Sequence, residues 1–343
     1  MTSSSLNRLN LVEIAKLAGV SKSTVSRVLL NQPRVAAETR ARVKHIMKAY
    51  NFPPSLFARG LAGGKTGHIG LLARWMESGF TAEVIRGIND EAKKRGGHLL
   101  CTFAPGIDEY IKMWRGFVGG GQVDGAILIA PPVDLYDQNV MASDRPTVLC
   151  SSAPENNTKG WGAVGAIKLH NRKAMVRLAE HLIEKGYKRL VHLAGAPDNY
   201  DSRERCDAFN ETVAKHKGVT GAIVQGAWTT ELARTVMRQY LDSHRQLPDA
   251  YLAFNDMVAL GVMEELKERK ISVPEEAAVT GWDDIPFARY AGLTTVHLPM
   301  VEMGWESARL LFQKMDHVSH VPISTQTTFE MPVMIRQTSG GEA

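Results

Sequence analysis

Lys22, Ser23, Ser26 and Arg27 fall on or near one side of the stretch Lys22 to Leu29, whose other side carries Val25, Val28 and Leu29. A helix with cations and hydroxyls outward and apolar groups inward suits the edges of base pairs. Lysine and arginine both match the O6/N7 acceptors of guanine, and a short serine reaches several bases with less discrimination. A different chemistry is suggested by Gly60-Leu-Ala-Gly-Gly-Lys-Thr66, which ends like a phosphate-cradling loop. The spacing excludes it, because the first glycine of such a loop falls at position 59, which is Arg59. Gly119-Gly120-Gly121 precedes a strand-like run instead of opening a helix, and no nucleophile elbow G-x-S-x-G occurs. Cys101, Cys150 and Cys206 are widely separated, which reads as reduced, buried, small apolar residues. Neither an enzyme, a cofactor nor a metal site is expected.

These side chains need elements to present them. Leu11, Ile14, Ala15 and Ala18 recur at helical spacing, Gly19 breaks the pattern, and Ser21 is a good N-cap for a second helix. A third helix, from about Ala37 to Tyr50, packs Val43, Ile46 and Met47 beneath the other two. Two short helices joined by a glycine-containing turn make a helix-turn-helix, whose second helix enters a major groove. Residues 1–60 carry a net charge of +8 and the remainder −3. A basic head on a mildly acidic body is the electrostatic footprint of nucleic-acid binding.

After a Pro- and Gly-punctuated linker, strand-like runs alternate with helical ones. The first half gives His68 to Ala73, a helix about Thr81 to Arg95, His98 to Phe103 and Val123 to Ile129. The second gives helices near Asn171 to Lys185, from Arg203 and from Thr230, with strands Arg189 to Ala194, Ala222 to Gln225, Ala250 to Phe254 and Ala278 to Gly281. This is parallel α/β in two similar lobes, which bind ligands in the cleft at the carboxyl ends of their strands. At 343 residues the chain accommodates such a multidomain plan. No run is apolar enough to span a bilayer and the first ten residues are polar, so the expected location is the cytoplasm. A periplasmic-type sugar-binding protein fails for want of a signal peptide, and an α/β dehydrogenase or sugar kinase for want of a phosphate loop.

The run Glu13-Ile14-Ala15-x-x-Ala18-Gly19-Val20-Ser21-x-x-Thr24-Val25-Ser26-Arg27-Val28-Leu29, with Thr39-Arg40-x-x-Val43, Asn51-Phe52-x-Pro54 and Ala58-Arg59-x-Leu61, resembles the DNA-binding head of the LacI/GalR family. The likeness continues through Phe254-Asn255-Asp256 and Gly281-Trp282-Asp283-Asp284. It implies an all-α helix-turn-helix head (1–52), a hinge (53–66), and a periplasmic-binding-protein-like effector and dimerisation domain (67–343) with two doubly wound parallel-sheet lobes. The lobes are expected at about 67–168 with 299–327, and at about 169–298 with 328–343. Lys22, Ser23 and Arg27 then read bases, Leu61 wedges into the minor groove, and Ser21, Thr24, Ser26 and Thr39 hold phosphates. Arg205, Asn255 and Asp283 map to the ligand pocket, where a guanidinium, an amide and a carboxylate suit neighbouring hydroxyls.

Departures mark this chain out: Leu30 and Ala36 near the DNA backbone, Gly60 in the hinge, Arg74-Trp75 after the first strand, Ser151-Ser152 and His170-Asn171. The effector expected is a sugar or sugar acid, with Arg74 as anion partner, unless it serves as an interlobe salt-bridge residue, and with Phe80 or Trp282 as stacking surface. The function implied is a repressor that binds a near-palindromic double-stranded operator as a homodimer. A corepressor-dependent repressor answering a nucleobase, or an activator, stands as the alternative.

Overall fold

A computed structural model describes residues 9–29, 32–50, 52, 66–76, 79–132, 145–151, 163–316 and 325–341. Leu30, Gly60, Leu61 and Ser152 lie outside the described residues, as does nearly all of the segment 53–66 expected to be a hinge. The head consists of α1 (Leu11–Ala18), α2 (Lys22–Leu29) and α3 (Ala37–Ala49). Asn10 opens α1 by accepting the N–H groups of Val12 and Glu13 at 2.9 and 3.1 Å, while Glu13 accepts the Asn10 N–H at 2.6 Å. Gly19 ends α1 in the left-handed conformation, φ 63°, which turns the chain into α2. Ile14, Ala15, Ala18, Val25, Val28, Val43 and Met47 form the buried core of this head, and Ile46 packs on it partly buried.

The α/β part of the chain runs β1 (His68–Ala73), α4 (Gly79–Lys94), β2 (His98–Phe103), α5 (Ile107–Gly119), β3 (Gly125–Ile129), β4 (Thr147–Cys150) and β5 (Ala163–Leu169). It continues through α6 (Asn171–Glu184), β6 (Arg189–Leu193), α7 (Tyr200–Lys215), β7 (Thr220–Val224), α8 (Thr230–Ser243), β8 (Ala250–Ala253), α9 (Asp256–Glu268) and β9 (Ala278–Asp283). Then come α10 (Pro286–Tyr290), β10 (Thr294–His297), α11 (Met300–Asp316), β11 (Thr325–Phe329) and β12 (Val333–Met334). Two six-stranded sheets result, ordered β11-β5-β4-β3-β1-β2 and β12-β10-β9-β8-β6-β7. All pairings are parallel except β10 with β12. Each sheet reverses its strand order beside its first strand, at β1/β3 and at β6/β8. Such a switch point leaves a crevice at the carboxyl ends where flanking loops part.

The central strands β3, β4, β8 and β9 are buried along their whole length, as parallel strands covered on both faces must be. The edge strand β2 is covered incompletely, and Cys101 on it is exposed, contrary to the expectation of a buried cysteine. The chain leaves the first sheet after β5, returns to it through α11 after β10, and leaves again after β11. Where α11 crosses α4, a Cβ on Gly87 would come within 2.0 Å of the Val301 carbonyl oxygen, so glycine sets this close approach.

Candidate functional site

On α2, Lys22, Ser23 and Arg27 are exposed while Val25 and Val28 are buried. At about 100° per residue, positions 22, 23, 26 and 27 span one arc of the helix and positions 25 and 28 the opposite one. The Ser21 hydroxyl accepts the Thr24 N–H at 3.1 Å and lies 2.8 and 2.9 Å from the hydroxyls of Ser23 and Thr24. The helix thus begins in a cluster of hydroxyls, with the N–H groups of Thr24 and Val25 already taken by Ser21. Ser26, Thr24 and Thr39 are half-buried, and Ala36 caps α3 without any side-chain bond. Among the cationic candidates, Arg27 and Lys22 therefore project from a surface that the head's core does not use.

The second site is a cavity of about 420 Å³ between the two sheets. The first lobe contributes Arg74, Trp75, Phe80, Thr81 and Ser151, and the second Asp201, Arg205, Trp228, Asn255 and Asp283. Nearly every one of these follows the carboxyl end of a strand or opens the helix after it. Backbone strain gathers there as well: Ala130, Ser151 and Asp283 hold φ of 43°, 66° and 107° at the ends of β3, β4 and β9. Non-glycine residues keep such angles only where their surroundings over-determine them, which is common at ligand sites.

Arg205 organises the second-lobe wall. Its Nε donates to Asn171 Oδ1 at 3.1 Å and an Nη to the Phe254 carbonyl at 2.7 Å, and its guanidinium lies 4.0 Å from the Trp282 ring centroid. Burial weakens its hold on its proton, against the pull of Asp201 and Asp283. Asp201 accepts the Asn171 amide at 2.8 Å and the Ser151 hydroxyl, so a carboxylate of one lobe is bonded to a side chain of the other. Burial, reinforced by the neighbouring Asp256, raises the Asp283 carboxyl well above the usual range, against the attraction of Arg205. Asn255 uses its carbonyl to cap α9, accepting the Val258 N–H at 2.8 Å; its amide reaches the Trp228 carbonyl at 3.4 Å. One N–H of that amide remains for a ligand.

The structure brings together Arg205, Asn255, Asp283, Arg74 and Phe80 on the cavity wall but not Trp282. Trp282 is fully buried beneath Arg205, so it supports the guanidinium and offers no stacking face to a ligand. Arg74 donates to Asp198 at 2.7 Å and to the Pro105 carbonyl at 3.2 Å. Its charge is thereby matched across the lobes, which is the salt-bridge role set against anion binding. Spacing did not reveal Asp201, Trp75 or Trp228 as wall residues. Trp75 and Trp228 stack at 4.3 Å across the cleft, and Phe254 meets Trp228 edge-on at 4.5 Å. One signal was available: Asp201 stands four residues before Arg205, on the same face of α7.

An exposed reading helix on a small basic head, joined to two α/β lobes that enclose a polar and aromatic cavity, defines a ligand-responsive DNA-binding regulator. Residues 10–55 match the bacterial regulatory proteins of the lacI family, and residues 179–339 match a periplasmic binding protein-like domain. The HTH-type transcriptional repressor PurR of Haemophilus influenzae is 28% identical over 311 residues, 89% of this chain and 90% of that one. PurR of Vibrio atlanticus is likewise 28% identical, over 90% of this chain and 92% of its own. A transcriptional regulator CelR–cellobiose complex superposes with a TM-score of 0.69 at 25% identity, covering 96% of this chain and 100% of that one. The lac repressor dimer bound to operator and the anti-inducer ONPF shares the fold, with a TM-score of 0.75 at 22% identity over 97% of this chain and 99% of that one. The chain therefore carries a lacI-family DNA-binding region at residues 10–55 and is similar over most of its length to transcriptional repressors of that family. No helix among the described residues is long and apolar enough to cross a membrane.

Proposed function

We propose that this protein is a cytoplasmic repressor that binds a near-palindromic operator as a homodimer and is controlled by a neutral carbohydrate held between its lobes. The carrying observation is the cavity wall: carboxylates and an amide for hydroxyl groups, aromatic faces for the apolar side of a sugar ring, and an Arg74 already paired with Asp198. With that pairing, a sugar acid finds no spare first-lobe cation among the described lining residues, so the neutral sugar is the better fit. The CelR complex with cellobiose is consistent with a saccharide in this place. Two half-sites and a dimer follow from the short α2, which alone reads too few bases for genomic specificity.

A second reading, a planar nitrogen heterocycle acting as corepressor, is favoured by the flat faces of Phe80, Trp228 and Phe254 around the same space. A thermal-shift screen of neutral sugars, sugar acids and nucleobases separates the two. A ligand at about 100 times its Kd stabilises the folded state by about 2.7 kcal/mol, which is readily detected. Stabilisation by a neutral mono- or disaccharide, lost in Asp283→Ala, is the expected result. A shift with nucleobases alone overturns the sugar reading. Failure of the chain to enrich any duplex from random DNA overturns the operator reading.

A further inference from the structure

At the far end of the first sheet from the cavity, a buried carboxylate closes the turn by which the chain enters the effector domain. Asp124, just before β3, is 6% exposed, and Thr66, just before β1, is 3% exposed. Asp124 Oδ1 accepts the Thr66 N–H at 2.7 Å and the Thr66 hydroxyl at 3.0 Å, and Oδ2 accepts the Gly67 N–H at 2.8 Å. The Thr66 oxygen in turn accepts the His68 N–H at 3.1 Å. Backbone bonds fasten the same turn to its neighbours: the Asp124 N–H donates to the His68 carbonyl at 2.8 Å, and the His98 N–H to the Gly67 carbonyl at 2.9 Å. Gly67 holds φ 76°, so the turn needs a glycine there.

β1 and β3 are already zipped from Ile69 with Gly125 to Leu72 with Leu128, and the strands themselves do not need this carboxylate. What Asp124 adds is a fixed direction for the chain before β1, and that chain is the covalent route to the DNA-binding head. The same two strands end in the cavity wall, β1 at Ala73 and Arg74, β3 at Ile129 and Ala130. The five residues of β3 span about 17 Å at roughly 3.3 Å per residue. A buried strand pair of that length moves as a rod, so displacement at the cavity end reaches the turn held by Asp124.

We infer that Asp124 is a positioning residue for operator recognition: by seating Thr66 and Gly67 it fixes how the head leaves the effector domain and ties that exit to the cavity wall. This rests on the operator-binding reading above.

The test uses the full chain with two probes, a duplex enriched from random DNA by the unmodified protein and an unrelated duplex of equal length. The head's cations meet any phosphate backbone, whereas specific binding needs both heads in register. Asp124→Ala is expected to lower affinity for the enriched duplex about tenfold or more and to leave the unrelated duplex within about twofold, so the specificity ratio falls. Thr66→Val, which keeps the shape and deletes the hydroxyl, should lower the ratio less, and Thr66→Ser should restore it. A partly unfolded variant instead loses active protein and weakens both duplexes alike, leaving the ratio unchanged. An unchanged ratio in Asp124→Ala, or in Thr66→Val should the alanine variant not fold, overturns the proposal. Absence of any enriched duplex with the unmodified chain overturns the operator reading first, and this inference with it.

Discussion

Lys22, Ser23 and Arg27 stand exposed on α2, whereas Arg205 and Asp283 are 4% and 7% exposed in the cavity wall. The head keeps these proposed reading residues outside its core of Ile14, Ala15, Ala18, Val25, Val28, Val43 and Met47, and among the described residues Lys22 and Arg27 form no ion pair. The cavity wall does the reverse: Asp201 and Arg205 are both bonded to the buried Asn171 amide before any ligand is considered. If these side chains have the proposed roles, substitutions on α2 should alter DNA specificity with little effect on folding, whereas substitutions in the cavity wall should change stability together with ligand response. That difference is measurable.

The largest effect is expected at Arg205. Its removal leaves Asp201 and Asp283 buried without their neighbouring cation, and frees the Phe254 carbonyl and the Asn171 oxygen that it serves. Breaking a buried charge network by deleting one partner costs about 3–5 kcal/mol. Urea unfolding of Arg205→Ala should show a loss of that order together with loss of the ligand-induced thermal shift. A variant as stable as the starting protein would contradict the contrast between head and cavity. Arg27→Ala comes next: stability should stay within about 0.5 kcal/mol, while discrimination at one base position falls by about 1–3 kcal/mol. Gel shifts against an enriched operator and its single-base variants read this directly, and an unaltered base preference would remove Arg27 from the reading set.

The same contrast explains what the amino-acid sequence discloses. The head is one continuous segment whose helices carry their own start and stop residues, Asn10, Gly19 and Ser21, so local spacing suffices to place its faces. The α/β alternation is legible for a similar reason, although the edges of β7 and β9 shift by a few residues where a strand fades into a loop. The cavity is assembled from loops that follow at least six different strands. No local period links Trp75 to Trp228 or Ser151 to Asp201, because those pairs exist only once the two lobes face each other. Arg205, Asn255 and Asp283 are legible only through the family resemblance of the segments that carry them. The place of Trp282 behind the wall is not legible in the sequence, because β9 is buried on both faces and alternation along the strand does not say which face meets the ligand space.

Asp256 carries the smallest effect per step, and it probes the buried side of the comparison through pH. It opens α9 at 1% exposure, accepts the Thr295 hydroxyl at 2.6 Å and the Ile285 N–H at 2.8 Å, and lies close enough to Asp283 to raise its proton affinity. Burial pushes the Asp256 carboxyl up to about 7, in spite of those two hydrogen bonds. A carboxyl more basic in the folded chain than in the unfolded one takes up a proton on folding. Its contribution is therefore complete below pH about 4 and is lost as the pH rises to about 7, by up to about 1.4 kcal/mol per pH unit. Asparagine can turn its oxygen to the Ile285 N–H and its amide to the Thr295 hydroxyl, keeping both bonds without a titrating proton. The stability advantage of the parent over Asp256→Asn should then shrink steadily between pH 4 and 7 and level off above. A difference independent of pH across that range would mean that the carboxyl is ionised in the folded protein, and that the interior behind the cavity wall tolerates a buried charge.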